Sequence, residues 1–85
     1  MIDKDNYFLL KRYLKTLSKP QIEDLCESIK FDSQESKLLL SWYDGDTVVK
    51  ICMDNFMSNH KYNSYFKTIC SKIYNYLNYQ NITFN

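Results

Sequence analysis

The feature that most limits the fold is a long apolar stripe in the C-terminal third of the chain. Only an α-helix brings side chains that recur at intervals of three and four onto one face. Polar residues, mainly Asn, Lys and Ser, fill most of the positions between. The stripe therefore predicts a long amphipathic helix with one face in a core. Its members are Tyr62, Tyr65, Phe66, Ile69, Cys70, Ile73 and Leu77.

Shorter stripes and capping residues predict three helices in the N-terminal half. Asp3 is placed to cap a first helix from Lys4 to Leu17. Ser18, with a proline in the first turn, opens a second helix that ends near Lys30. Asp32-Ser33-Gln34-Glu35 fits a capping box for a third helix, which continues through the sequence from Lys37 to Tyr43.

A short fourth helix and a tight turn precede the long one. Gly45 ends helix three, and we expect Asp46 to cap a helix from Thr47 to Asp54. Asn55 is expected in the left-handed conformation, followed by Phe56 and Met57 as apolar plugs and Ser58 as the next cap. We predict an all-α fold of about five helices, a single domain over residues 1–85. It comprises a helical pair (1–31), a helix-turn-helix unit (32–79) and a tail (80–85).

The cysteines and the absence of catalytic patterns exclude several classes of function. Cys26, Cys52 and Cys70 have no CxxC spacing and fall on apolar stripes, which predicts buried thiols in a reducing compartment. With His60 they do not form a metal-ligand pattern, and no cofactor is expected. No acid lies near His60 in the sequence, Ser58 has no base within its turn and no Gly-rich loop exists, so we expect no enzyme. With neither a signal pattern nor an apolar run of about 20 residues, we expect a cytoplasmic protein with no membrane partner.

Charge is distributed unevenly along the chain. Residues 1–54 hold 8 basic and 10 acidic side chains, whereas residues 55–85 hold 3 lysines and no acid. A segment without carboxylates is suited to approach a phosphate backbone, because each carboxylate would repel it. The alternative is a solvated face that lacks acids by chance.

Two helices joined by a tight turn, the second entered through a serine cap, are typical of a helix-turn-helix that binds DNA. The second helix would enter the major groove of double-stranded DNA with its first turns. We expect Asn63 to read adenine, Lys61 to contact guanine or phosphate, and backbone N–H groups near Thr47 and Ser58 to bind phosphates. The predicted DNA-binding residues are Thr47, Ser58, Asn59, His60, Lys61, Asn63, Ser64 and Lys67.

The segment from Asp32 through Leu77 also holds a loose series of residues: Glu35, Leu38 to Leu40, Trp42-Tyr43-Asp44-Gly45, Val49-Lys50-Ile51-Cys52, Met57-Ser58, Lys61-Tyr62 and Lys72-Ile73-Tyr74. The series resembles the promoter-reading helix-turn-helix of bacterial sigma factors. Met57-Ser58-Asn59-His60-Lys61-Tyr62 is more similar to phage late-transcription regulators of the ArpU type. The resemblance implies double-stranded DNA binding and control of transcription on a phage or mobile element of a low-GC bacterium. The usual turn Gly is absent, and Asn and Ser stand where these families often place Arg, so a dimer or a partner such as RNA polymerase would be needed.

Other interpretations remain open for the aromatic and acidic residues. Trp42 and Tyr43 are expected in the core rather than as a stacking platform. Tyr76 and Tyr79 drift off the stripe of the last helix, which favours an apolar patch and a homodimer. The rival function is a protein-binding module with a degenerate helix-turn-helix, such as an inhibitor or adaptor of a host polymerase or defence nuclease. Acids on the first two helices would favour such a basic partner: Asp5, Glu23, Asp24 and Glu27.

Overall fold

The computed structural model describes residues 3–80 and is all-α over that range, as the sequence predicts. Its five helices are α1 (Lys4–Thr16), α2 (Lys19–Ile29), α3 (Ser33–Tyr43), α4 (Val48–Asp54) and α5 (Asn59–Tyr79). The predicted tail lies outside the described residues except for Gln80, which is the C-cap of α5.

Side-chain caps fix where the first three helices begin. The Asp3 carboxylate accepts the Asn6 backbone N–H at 2.9 Å, which confirms the expected start of α1. The capping box expected at α3 is also present, with Asp32 as the N-cap. At α2, Ser18 forms a second capping box with Gln21, an interaction that the proline in the first turn did not by itself indicate.

The loop before α4 corrects one expectation. Asp46 is not the N-cap; Thr47 has the extended backbone of a cap, and its hydroxyl accepts the Lys50 N–H at 3.1 Å. Gly45 has φ +90°, a conformation that its lack of a Cβ makes cheap. The cap therefore falls one residue later than predicted, and Asp46 is left to interact with the Lys50 ammonium group.

The turn between α4 and α5 corrects two further expectations from the sequence. Asn55 has φ −108° and is not left-handed, whereas Phe56 takes the left-handed conformation with φ 53°. Phe56 is also not an apolar plug, because its ring is almost fully exposed. Met57 does pack against the core, and its N–H donates to the Cys52 carbonyl at 3.0 Å. Of the two residues expected to fill the turn, only Met57 therefore packs on the core.

Helix α5 is the centre of the core and contacts all four other helices. Its predicted stripe is buried except for Tyr65, which is half-buried and still packs on the core. The three cysteines are buried, as expected. Trp42 and Tyr43 are half-buried against the core, and the Trp42 ring lies 5.3 Å from the Phe66 ring.

Helix α1 is fastened to the end of α3 by one lysine. The Lys15 ammonium donates to the carbonyls of Trp42 and Tyr43, each at 3.0 Å, and lies 4.5 Å from the centre of the Trp42 ring. These carbonyls belong to the last turn of α3, where a cation is favoured by the helix dipole. The N-terminal helix thus supports the unit formed by α3, α4 and α5, which all contact one another.

Candidate nucleic-acid interface

The site begins with the expected arrangement of two helices joined by a tight turn. Four residues, from Asn55 to Ser58, separate the last residue of α4 from the first of α5. The Ser58 hydroxyl accepts the Lys61 backbone N–H at 3.1 Å and so caps α5, as predicted. Because α3 packs against both helices, the orientation of α5 is held by a three-helix core.

All eight predicted DNA-binding residues are exposed. Six of them lie on the first two and a half turns of α5, and Ser58 immediately precedes that helix. Thr47 is separate from them in sequence, at the start of α4. The exposed side chains of α5 between its start and Asn78 include no acid: Asn59, His60, Lys61, Asn63, Ser64, Lys67, Thr68, Lys72, Asn75 and Asn78. This outer face is about 30 Å long at 1.5 Å per residue.

Some of the predicted side chains already have intramolecular roles. The hydroxyls of Thr47 and Ser58 are engaged as N-caps. The Asn59 amide oxygen accepts a hydrogen bond from the Cys52 thiol at 3.3 Å, across the turn. These groups therefore hold α4 and α5 in place, and His60, Lys61, Asn63, Ser64 and Lys67 remain as the outward-facing set.

Fewer lysines of α5 are without an ion-pair partner than the count of three in the sequence suggests. Lys72 forms an ion pair with the buried Glu35, with Nζ 2.6 Å from Oε2. Within residues 3–80, neither Lys61 nor Lys67 has an ion-pair partner. The net positive charge of the acid-free segment is thus partly cancelled by a carboxylate from α3, and two lysines carry what remains on α5.

A groove beside α5 adds a lysine that the sequence did not single out. It lies between the start of α1 and the middle of α5, where Lys4 and Lys67 are both lining residues. Tyr7 lines the same groove, and the Lys11 ammonium lies 5.0 Å from the centre of its ring. Asp3 lines the groove as well, so its α1 side holds an acid beside the lysine. No spacing rule relates residue 4 to residue 67, and only the packing of α1 on α5 places both lysines on one groove.

The outer surface of α4 has a different character. Lys50 lies between two carboxylates, 2.8 Å from Asp54 and 3.8 Å from Asp46. The hydrogen bond that the Lys50 ammonium group donates to Asp54 is the main cause of the raised pKa of Lys50, followed by the charge of Asp46. Because two acids face one lysine, this surface is less suited to phosphate than that of α5.

Exposed apolar side chains form a patch on α4 and the following turn, which we call the α4 patch. It consists of Val48, Val49, Met53 and Phe56. The sequence holds a signal for part of it, because Val49, Met53 and Phe56 are spaced by four and three residues. That spacing alone could not distinguish a second buried face from an exposed one. The expected patch on α5 is different: Tyr79 is exposed, but Tyr76 packs on the core.

Burial shifts the acid–base properties of groups beneath the site. Burial is the largest cause that raises the pKa of Tyr7 and of Cys70, in each case to about 12. The pKa of Tyr62 is also raised by burial. These groups are therefore neutral near pH 7 and belong to the support of α5. Among residues 3–80, no group of three or more His, Cys, Asp or Glu side chains is arranged to hold a metal ion.

Comparison with models of protein families, with curated proteins and with solved structures finds no match to this chain. Within residues 3–80, no helix has the length and apolar character needed to cross a membrane.

Proposed function

We propose that the protein binds double-stranded DNA through the outer face of α5 and regulates transcription. The observation that carries the proposal is the exposed, acid-free face of α5, which displays Lys61 and Lys67 without ion-pair partners in the described chain. A helix of this kind, entered from a tight turn and supported by two further helices, is the arrangement that helix-turn-helix proteins insert into the major groove.

The side chains divide into two roles. Lys61 and Lys67 are six positions apart, about 9 Å along the helix axis, and would contact phosphates at different points. Lys4, which lines the same groove as Lys67 and Asp3, would add one contact on α1. Asn63, in the second turn of α5, would form hydrogen bonds through its side-chain amide with the major-groove edge of adenine.

The proposal is tested by fluorescence anisotropy of labelled duplexes, AT-rich and mixed, titrated with the protein at low and physiological salt. We expect saturable binding that weakens with salt. Lys61→Ala and Lys67→Ala should each reduce the slope of log affinity against log salt by about one. The matched control is Lys37→Ala, which removes an exposed lysine from α3 and should leave the slope unchanged.

A further variant separates base recognition from phosphate contact. Asn63→Ala should reduce discrimination between duplexes by about 1–3 kcal/mol while leaving the salt slope unchanged. If neither the parent chain nor any of these variants binds a duplex at about 100 µM protein in low salt, the protein does not bind DNA on its own.

The second candidate is a protein-binding module, which exposed acids on α2 favour. Glu23, Asp24 and Glu27 are all exposed and have no ion-pair partner within residues 3–80. Such a surface suits a basic protein, for example a polymerase or a nuclease. If DNA binding is absent, pull-down with the parent chain and with a Glu23→Gln, Glu27→Gln variant tests this candidate. A partner retained by the parent and lost by the variant would support it.

A further inference from the structure

The α4 patch is the surface feature that neither the fold nor the proposed DNA contact uses. Val49, Met53 and Phe56 are 63%, 70% and 94% exposed, and their spacing aligns them along one side of α4 and its turn. Apolar side chains that adjoin one another in this way are typical of interaction surfaces, whereas single exposed apolar residues are common everywhere.

Phe56 is unfavourable in the isolated chain for two separate reasons. Its φ of 53° is a conformation that glycine and asparagine adopt readily and that a bulky side chain strains. Its ring is almost completely in contact with solvent, so burial within the described chain does not offset that strain. A contact made outside the monomer would offset both effects.

The shape of the patch indicates what covers it. Beside Phe56 lies a shallow hollow lined by Val49, Cys52, Met53, Met57 and Asn59, together with Phe56 and Ser58. An interface with two-fold symmetry requires one surface to be complementary to itself. A projecting aromatic ring next to an apolar hollow meets this requirement, because each ring can enter the hollow of the other copy.

We propose that a second copy of this chain covers the α4 patch, with Phe56 of each copy in the hollow beside Phe56 of its partner. The patch holds only four side chains and is smaller than the area typical of stable complexes, so the dimer is weak and reversible.

The dimer has a consequence for DNA binding, and this consequence alone rests on the proposed function. Ser58 and Asn59 line the hollow and also belong to the predicted DNA-binding set. A second copy seated there covers the start of α5, so dimer formation and insertion of α5 into the major groove exclude each other.

The test is sedimentation equilibrium of the full chain, without DNA, from about 10 µM to about 1 mM, a range that suits a small interface. We expect a monomer–dimer equilibrium within this range. Phe56→Asn should raise the dissociation constant at least tenfold, as loss of a central aromatic contact does. The same variant should melt at a higher temperature under monomeric conditions, because asparagine tolerates the positive φ. This second measurement establishes that the variant is folded.

Tyr79→Asn is the matched control, because it removes an exposed aromatic ring outside the α4 patch. The dissociation constant should not change. A chain that stays monomeric at about 1 mM, or a dimer that weakens with Tyr79→Asn and not with Phe56→Asn, overturns the proposal. Failure of the monomeric Phe56→Asn chain to bind DNA would count against the proposed function alone, since self-association is measured without DNA.

Discussion

The ion pair between Glu35 and Lys72 provides a sharp test of how α5 is held in place. Glu35 is the one charged residue buried in the described chain. Its Oε1 accepts the Asp32 backbone N–H at 3.1 Å as part of the α3 capping box, and its Oε2 lies 2.6 Å from Lys72 Nζ. The same carboxylate therefore completes the start of α3 and links that helix to α5.

The expected magnitudes follow from the number of contacts each substitution removes. Glu35→Ala removes a capping hydrogen bond worth about 1 kcal/mol and a charge-assisted bond worth about 1–2 kcal/mol, the latter reduced because Lys72 is half-exposed. The total loss of unfolding free energy is about 2–3 kcal/mol. Glu35→Gln keeps an oxygen for the Asp32 N–H and loses only the charge, so we expect about 1 kcal/mol.

The assay is urea unfolding followed by circular dichroism, in a double-mutant cycle of Glu35→Gln and Lys72→Gln. We expect a coupling energy of about 1 kcal/mol, which is smaller than for a fully buried pair because the lysine reaches solvent. A coupling energy below about 0.3 kcal/mol, or equal losses for Glu35→Gln and Glu35→Ala, would refute the reasoning. In the first case the contact contributes no stability, and in the second the carboxylate charge accounts for the whole effect.

Three other predictions concern the support of the site. Burial raises the pKa of Tyr7 from 10.0, and of Cys70 from 9.0, to about 12. The unfolded chain therefore loses these two protons at lower pH than the folded chain does. The contribution of the two groups to the unfolding free energy is complete below pH 9 and is lost as pH rises towards 12. Melting temperatures that do not decline over that range would contradict this. Lys15→Met should lower the unfolding free energy by about 1–2 kcal/mol in urea titrations, because two carbonyls at the end of α3 lose their donor; an unchanged midpoint would exclude that role. Ser58→Ala should cost about 1 kcal/mol through the lost α5 cap, while Ser64→Ala, on the exposed face, should cost less than half of that; equal effects would argue against a cap.

The sequence was sufficient for features that depend on neighbours along the chain. Helical spacing identified all five helices, and short polar side chains identified the caps at Asp3, Ser18, Asp32 and Ser58. Both kinds of signal involve residues within about four positions of each other, which local backbone geometry relates directly.

The errors arose where two neighbouring residues offered similar local chemistry. Asp46 and Thr47 are both good N-caps, and the Lys50 ammonium group, which pairs with Asp46, is part of what distinguishes them in the fold. Asparagine is the better left-handed residue by propensity, yet Phe56 adopts that conformation, because Met57 must face the core where the chain turns into α5. A local preference of about 1 kcal/mol is readily overridden by tertiary packing.

What the sequence alone determined is the class of the fold, the positions of its helices and the absence of acids from the C-terminal segment. Only the tertiary structure decided which side chains remain available for binding: it paired Lys72 with Glu35, placed Lys4 and Lys67 on one groove, and left Phe56 in solvent. The physical reason is distance along the chain. Helices and caps are formed by contacts between near neighbours, whereas a binding surface depends on residues tens of positions apart, and their proximity is set by how whole helices pack.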